Sequence, residues 1–326
     1  MEVLSEHRDD AALFTTRFAL MGGGASVQFV DDRGQDHAER LARAVEREAR
    51  RIELKFSRYR ESSVVSEINR QAGRTPVAVD DETEFLVGAA LDLARLTGGC
   101  FDPTVGVLRR AWNFSGGHVP SPEEIEAVLP LVNAGAVSLR DGTVFLRHAG
   151  MEIDLGGVGK EYAADRAAEL LRADGVRAAV VSFAGDVRTI GFRGDGRPWK
   201  IGVLDPRDRQ RCRFAVRAPG DVGVATSGDY ERGFSKDGVR YHHILDARTG
   251  WPSRGLASAT VVASTAFRAG QLSTASFLLG PDAGFALLQE TPGVEGALIT
   301  EDGAVLATEG MRFLSDLPGG VWASWH

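Results

Sequence analysis

The chain is poor in cysteine: two residues in 326, Cys100 and Cys212, can build no disulfide framework and stand at no metal-ligand spacing. A reducing compartment is the simpler expectation. Long apolar runs are also missing, and with no segment of about 18 uninterrupted apolar residues a spanning helix is excluded. The opening MEVLSEHRDDAALF carries acids where a targeting peptide has its apolar core, so no signal peptide or lipoprotein leader is expected and the cytoplasm is the expected location. Positive charge is outweighed, with 38 Lys and Arg against 45 Asp and Glu, and the formal net charge of -7 argues against a nucleic-acid surface. The local basic run 207–213 reads as a solvated loop leading into a strand. One shortage is local, for between Ala247 and Pro281 there is no Asp or Glu, although the chain holds 45 acidic residues.

What is present suits a soluble globular domain, with 43% hydrophobic and 25% charged residues. Residues 13–21 and 26–30 read as strands around Gly22, Gly23 and Gly24. From residue 37 to 56 apolar side chains recur at Leu41, Val45, Ala49, Ile52 and Phe56, the spacing of one buried helical face. Ser62 or Ser63 caps a short helix, Asp80 or Asp81 a longer one ending at Leu96, and Ser121-Pro122-Glu123-Glu124 opens another. Asp141-Gly142 and Asp302-Gly303 mark hairpins. Residues 176–190 read as one central strand with 199–204 as its partner, 224–229 and 241–245 as further strands, and 283–289 as a helix. Helices and strands do not alternate as regular βαβ units. The expectation is an α+β fold, a single domain of antiparallel sheet with packed helices over residues 13–326, preceded by a polar tail over residues 1–12.

Three stretches carry chemistry. CFDPTVGVLRRAWNF, residues 100–114, is a shaped loop presenting Phe101, Asp102, Thr104 and Trp112, suited either to a flat heterocycle or to plugging the core, with Asp102 as a helix cap. MEIDLGGVGKEYAADRAAELLRADG, residues 151–175, runs from a strand through glycines into a helix, whose unpaired first N–H groups form an anion site. Lys160 in its first turn opposes the helix dipole and makes better sense beside a bound anion. The third stretch, RYHHILDARTGWP, pairs two histidines where the backbone must turn.

Seven segments in register then resemble the FAD:protein FMN transferase (ApbE) family. They are FALMGGG (18–24), FSRYRESSVVSEINR (56–70), CFDPTVGVLRRAWNF (100–114), EIDLGGVGKEYAAD (152–165), ATSGDYERGF (225–234), HHILDARTGWP (242–252) and AGQLSTASFLLG (269–280). The resemblance implies a monomeric α+β fold with an elongated FAD-binding cleft. It implies transfer of FMN from FAD to a Thr or Ser hydroxyl of an acceptor flavoprotein, with release of AMP. Carried over by position, Met21, Tyr59, Cys100, Phe101, Asp102, Asp154, Lys160 and Ile244 are the expected FAD surroundings. His243 is the expected general base, with His242 on the opposite, structural face.

The family's Mg²⁺ ligands map to the Gly157 carbonyl, to Thr274 and to an aspartate that here is Gly270. Glu161 stands where the family has a glycine. Three readings stay open: a metal held more weakly or through water, a distant carboxylate moved in, or a site without metal. The alternative function is an FAD-binding protein with little or no transfer, in a carrier or accessory role.

Overall fold

A computed structural model describes residues 3–8 and 11–314, with side chains characterised over residues 12–311. Nine strands build its main sheet, all antiparallel, and their order across the sheet is their order along the chain. They are β1 (Val3–Arg8), β2 (Ala11–Leu20), β3 (Gly23–Asp31), β4 (Ala179–Phe183), β5 (Asp186–Ile190), β6 (Gly223–Gly228), β7 (Leu256–Ala263), β8 (Glu295–Thr300) and β9 (Val305–Ala307). Residues 3–8, expected within a polar tail, instead form the edge strand β1, paired with β2 from Val3↔Thr16 to Arg8↔Ala11.

Seven helices accompany the sheet: α1 (Gln35–Phe56), α2 (Val64–Arg70), α3 (Asp81–Leu96), α4 (Pro122–Val128), α5 (Gly159–Ala173), α6 (Ala266–Glu290) and α7 (Glu309–Leu314). α1 buries Leu41, Val45, Ala49, Ile52 and Phe56, the stripe that its spacing predicts. α5 lies against β4 and β5, and α6 against β6 and β7, so one face of the sheet is covered by helices. On the other face the hairpin of Trp199–Asp205 and Asp208–Ala218 contributes Val203, Phe214 and Val216 to a second core with Val187, Val224 and Val262. With both faces covered, all eight residues of β7 are buried.

Several expectations change here. Residues 176–190 are two strands, not one, because Ala184 (φ 50°) and Gly185 (φ 95°) form a two-residue turn that pairs Phe183 with Asp186. The strand at residue 199 pairs with 208–218, including the basic run expected as a loop, and not with the central strand. The Ala283–Gln289 helix is the second part of α6, broken at Gly280 (φ 81°) before Pro281.

Candidate functional site

Two hairpin turns sit side by side at one end of the sheet. Met21 (φ 49°) and Gly22 (φ 74°) join β2 to β3, and Ala184 and Gly185 join β4 to β5. Both turns hold a non-glycine residue in the left-handed region, a strained choice that clusters at ligand sites. They touch: a Cβ on Gly23 would come within 2.9 Å of the Ala184 Cβ. The Met21 backbone N–H donates to Glu53 Oε1 at 2.7 Å, fixing the first turn to α1.

The start of α5 reaches over this end. No side chain caps the helix; the Leu155 carbonyl takes the Gly159 N–H at 2.9 Å, and an anion there would meet the N–H groups that follow it in the first turn. Lys160 Nζ lies 2.5 Å from Asp186 Oδ2 and 2.6 Å from Glu161 Oε1. Burial opposes its charge, but Asp186 and Glu161 outweigh burial and hold the ammonium above its ordinary pKa. Burial also pushes the Glu161 carboxyl up, against the pull of Lys160. Asp186 Oδ1 accepts from the Thr226 N–H at 3.2 Å. Next along β6, the Ser227 hydroxyl meets Ser273 Oγ at 3.0 Å and Thr274 Oγ1 at 3.1 Å on α6.

A second wall runs outward from the α5 turn. Asp154 Oδ1 accepts from the Gly156 N–H at 2.9 Å, and its own N–H donates to the Pro103 carbonyl at 2.7 Å. The loop that begins at Cys100 therefore lies along the 154–158 turn. The Phe101 ring is so close that a Cβ on Gly157 would meet it at 3.2 Å. Arg58 joins Asp154 Oδ2 at 3.2 Å and the Gly106 carbonyl at 3.1 Å, and its guanidinium stacks 4.9 Å from the centre of the Tyr59 ring. Tyr59 is 73% exposed, a flat face open to a stacking partner. The buried Cys100 thiol has its pKa raised by burial and by Asp246, and the Cys100 carbonyl accepts from the Ala247 N–H at 2.9 Å.

That last bond brings in the histidine segment. His243 is exposed, yet it sits in a recess whose walls hold its imidazole at a pKa of about 4, by desolvation first and then by Arg232, His242 and Lys160. Its Nδ1 faces the Arg232 carbonyl at 3.2 Å. A carbonyl only accepts, so Nδ1 carries the proton and the Nε2 lone pair is left for a substrate. The Arg232 guanidinium reaches back to the first hairpin turn, where it would lie 3.5 Å from a Gly22 Cβ. Ile244 is half-buried and packs onto the core, its carbonyl taken by the Ser253 N–H at 3.1 Å. His242 is buried beside Phe277 and donates from Nε2 to the Ser253 carbonyl at 3.0 Å, the structural part expected of it.

Met21, Tyr59, Cys100, Phe101, Asp154, Gly157, Lys160, His243, Ile244 and Thr274 are thus linked around one end of the sheet. Asp102 is a different case. Its Oδ1 accepts from the Thr104 N–H (2.8 Å) and hydroxyl (2.5 Å), and its Oδ2 from the Ala134 N–H (2.6 Å). The carboxylate is consumed in bracing its own loop, which leaves the backbone to face a ligand. Trp112 is in a core cluster, stacked on Phe114 at 5.1 Å with its Nε1 donating to the Gly250 carbonyl. Arg58 and Arg232 carry no expected role from sequence, although each lies inside a matched segment, 56–70 and 225–234.

The replaced aspartate also has a structural answer. A Cβ on Gly270 would lie 2.4 Å from Glu161 Cγ and 2.8 Å from Glu161 Cδ and Oε1. The Glu161 carboxylate fills the space that a side chain at 270 would occupy. Its Oε2 is buried without a hydrogen-bond partner. Among the described residues no group of three or more His, Cys, Asp or Glu side chains is arranged to hold a metal. Any metal here would rest on one carboxylate with hydroxyl and carbonyl oxygens.

Fold and site together define a single-domain α+β protein that gathers an uncapped helix start, a lysine paired with two carboxylates and an imidazole with a lowered pKa at one end of an antiparallel sheet. Comparison with known proteins narrows the class: the chain belongs to the ApbE family, whose model matches residues 21–298. It is 36% identical to the FAD:protein FMN transferase of Treponema pallidum over 79% of this chain and 76% of that protein. Against the FAD:protein FMN transferase of Vibrio cholerae it is 30% identical, with 82% of each covered. The crystal structure of the ApbE protein from Thermotoga maritima superposes with a TM-score of 0.84 at 38% identity, covering 93% of this chain and 99% of that one. The flavin transferase ApbE from Vibrio cholerae also gives a TM-score of 0.84, at 27% identity and the same coverages.

Proposed function

We propose that the protein transfers FMN from FAD to a Thr or Ser hydroxyl of an acceptor flavoprotein and releases AMP. The relatives named FAD:protein FMN transferase support the reaction. One observation carries it to this chain: a neutral imidazole with an open Nε2 in the same recess as a lysine at an uncapped helix start. Bond making and breaking at a pyrophosphate asks mainly for positioning and for charge to be offset. The α5 N-terminus and Lys160 receive the pyrophosphate, the Tyr59 face and the 101–106 loop give flat apolar surface for the ring systems, and Met21 lines the hairpin turn. His243 takes the proton of the acceptor hydroxyl as it attacks phosphorus. Phosphate oxygens drawn to Lys160 would release Glu161 from it.

Mg²⁺ is part of this reading. Glu161, Thr274 and the Gly157 carbonyl would hold it, and the unpartnered Glu161 oxygen fits a hard cation. When bound, the ion would offset phosphate charge. Cytoplasmic action as a monomer belongs to the same proposal. The two free thiols, one of them the exposed Cys212, suit a reducing compartment.

The test is incubation of the purified protein with FAD, Mg²⁺ and an acceptor bearing a target threonine, read as covalent flavin fluorescence on a denaturing gel together with AMP release. Fluorescence that follows the acceptor and is lost in an acceptor lacking that threonine is the expected result. FAD bound without covalent transfer would favour the accessory role.

A further inference from the structure

Glu161 and Asp186 are two carboxylates, each with a side chain only 3% exposed, and Lys160 is the one cation paired with them. Glu161 Oε2 is the oxygen with no partner. Burying a carboxylate oxygen unpaired is costly, so such an atom in a cleft marks the position of a missing ligand. The helix packed against α5 carries oxygen donors. Thr274 lies one turn beyond Gly270 and therefore on the same face of α6 that Glu161 presses against. Its hydroxyl is held toward this face through Ser227 at 3.1 Å. Carboxylate, hydroxyl and carbonyl oxygens make a set for a hard divalent cation that keeps waters or phosphate oxygens for its remaining positions.

We propose that Glu161 supplies the side-chain carboxylate of a divalent-cation site in this chain, in the space that residue 270 would otherwise fill, so that positions 161 and 270 act as one exchangeable unit. The inference rests on the proposed function for its biological sense but not for its test. Its steric half is explicit: a Cβ at 270 meets Glu161 Cγ at 2.4 Å, so Gly270 is what lets Glu161 enter. Adding Asp at 270 while Glu161 remains should therefore not improve the site. It should crowd it.

The experiment is Mn²⁺ titration of the full chain followed by electron paramagnetic resonance of the free ion, with Mg²⁺ as competitor. Circular dichroism and the melting temperature serve as checks of folding. The wild type should bind one Mn²⁺ that Mg²⁺ displaces. Glu161→Gln, which keeps the shape, should weaken binding at least tenfold, and Gly270→Asp alone should bind no better than the wild type. The double variant Glu161→Gly with Gly270→Asp should return to within a few-fold of the wild type. Equal binding by wild type and Glu161→Gln overturns the proposal, as does a folded wild type that binds no Mn²⁺, which would leave Lys160 as the resident cation. Metal binding that depends on Glu161 without covalent flavin transfer would sink the transferase reading and leave this one standing.

Discussion

His243 looks, from sequence, like any histidine near its usual pKa. Its recess, with Arg232 and Lys160 nearby, lowers that to about 4. A base held neutral this far into acid gives no histidine step in the ordinary place. The rate of FMN transfer per FAD bound should stay flat from pH 8 down to about pH 5, and an acid limb with its midpoint near 6.5 would show that another group is the base. His243→Ala should cut kcat by roughly 10²–10⁴-fold while FAD affinity, measured by flavin fluorescence quenching, changes little. Such a split is expected of a base that acts on the acceptor proton and contributes little to holding FAD. The tautomer that makes Nε2 the acceptor depends on the Arg232 carbonyl, a tertiary contact, and so could not be read from the HHILD segment.

At the scale of elements, local signals were legible. Ser63, Asp80 and Ser121 cap α2, α3 and α4 as their spacing predicts, each accepting from an N–H three residues on. The β4–β5 turn was not legible, because an Ala-Gly turn with Ala184 at positive φ lacks the Asn or Asp that normally announces such a hairpin. The partner of the 199–205 strand was invisible for another reason: which strand pairs with which is decided by burial across the whole sheet.

One clamp between elements also went unread. Asp165 on α5 accepts from the Ala266 N–H at 2.9 Å and the Phe267 N–H at 2.8 Å, tying down the start of α6, and Arg188 lies 3.3 Å from it. Asp165→Ala leaves two buried donors unpaired and should cost about 2–4 kcal/mol, seen as a lower urea midpoint. Because α6 carries Thr274, the loss should also weaken cation binding at the proposed Glu161 site.

For the whole molecule, two windows of acid sensitivity follow one another. Burial lowers both His242 and His243 from 6.5 to about 4. Between those values the unfolded chain binds a proton that the folded one refuses, so stability falls as pH drops from 6.5 toward 4. Glu82, paired with Arg51 and Lys55 and bonded by Tyr162, is lowered from 4.5 to about 2. Its contribution, on the order of 2–3 kcal/mol, is present above the unfolded value and lost as pH falls through the folded one. Melting temperatures should therefore decline in two stages. Glu82→Gln should shrink the stage below pH 4.5, with Asp80 keeping part of it, while His242→Leu should shrink the stage above pH 4 by the share that His243 does not carry.

The class of fold was legible because helix periodicity and hairpin signals are local. The contact between residues 161 and 270 was not, since nothing in either segment points to the other until α5 and α6 are laid on the same sheet.

A sheet whose strands follow chain order has one interruption far longer than the others: β3 ends at Asp31, and its neighbour β4 begins only at Ala179. During synthesis the β2–β3 hairpin is complete early, but its inner edge has no strand to meet until about 150 further residues have been made. At ordinary ribosome speed that is a wait of roughly 7–30 s, with Val27 and Phe29, both fully buried in the finished protein, still uncovered. The nascent chain is then an open template for strand pairing with its neighbours on the same message. Yield in the cell should therefore depend on how quickly residues 32–178 are translated, with slow codons there favouring aggregation and the same codons after β4 having little effect.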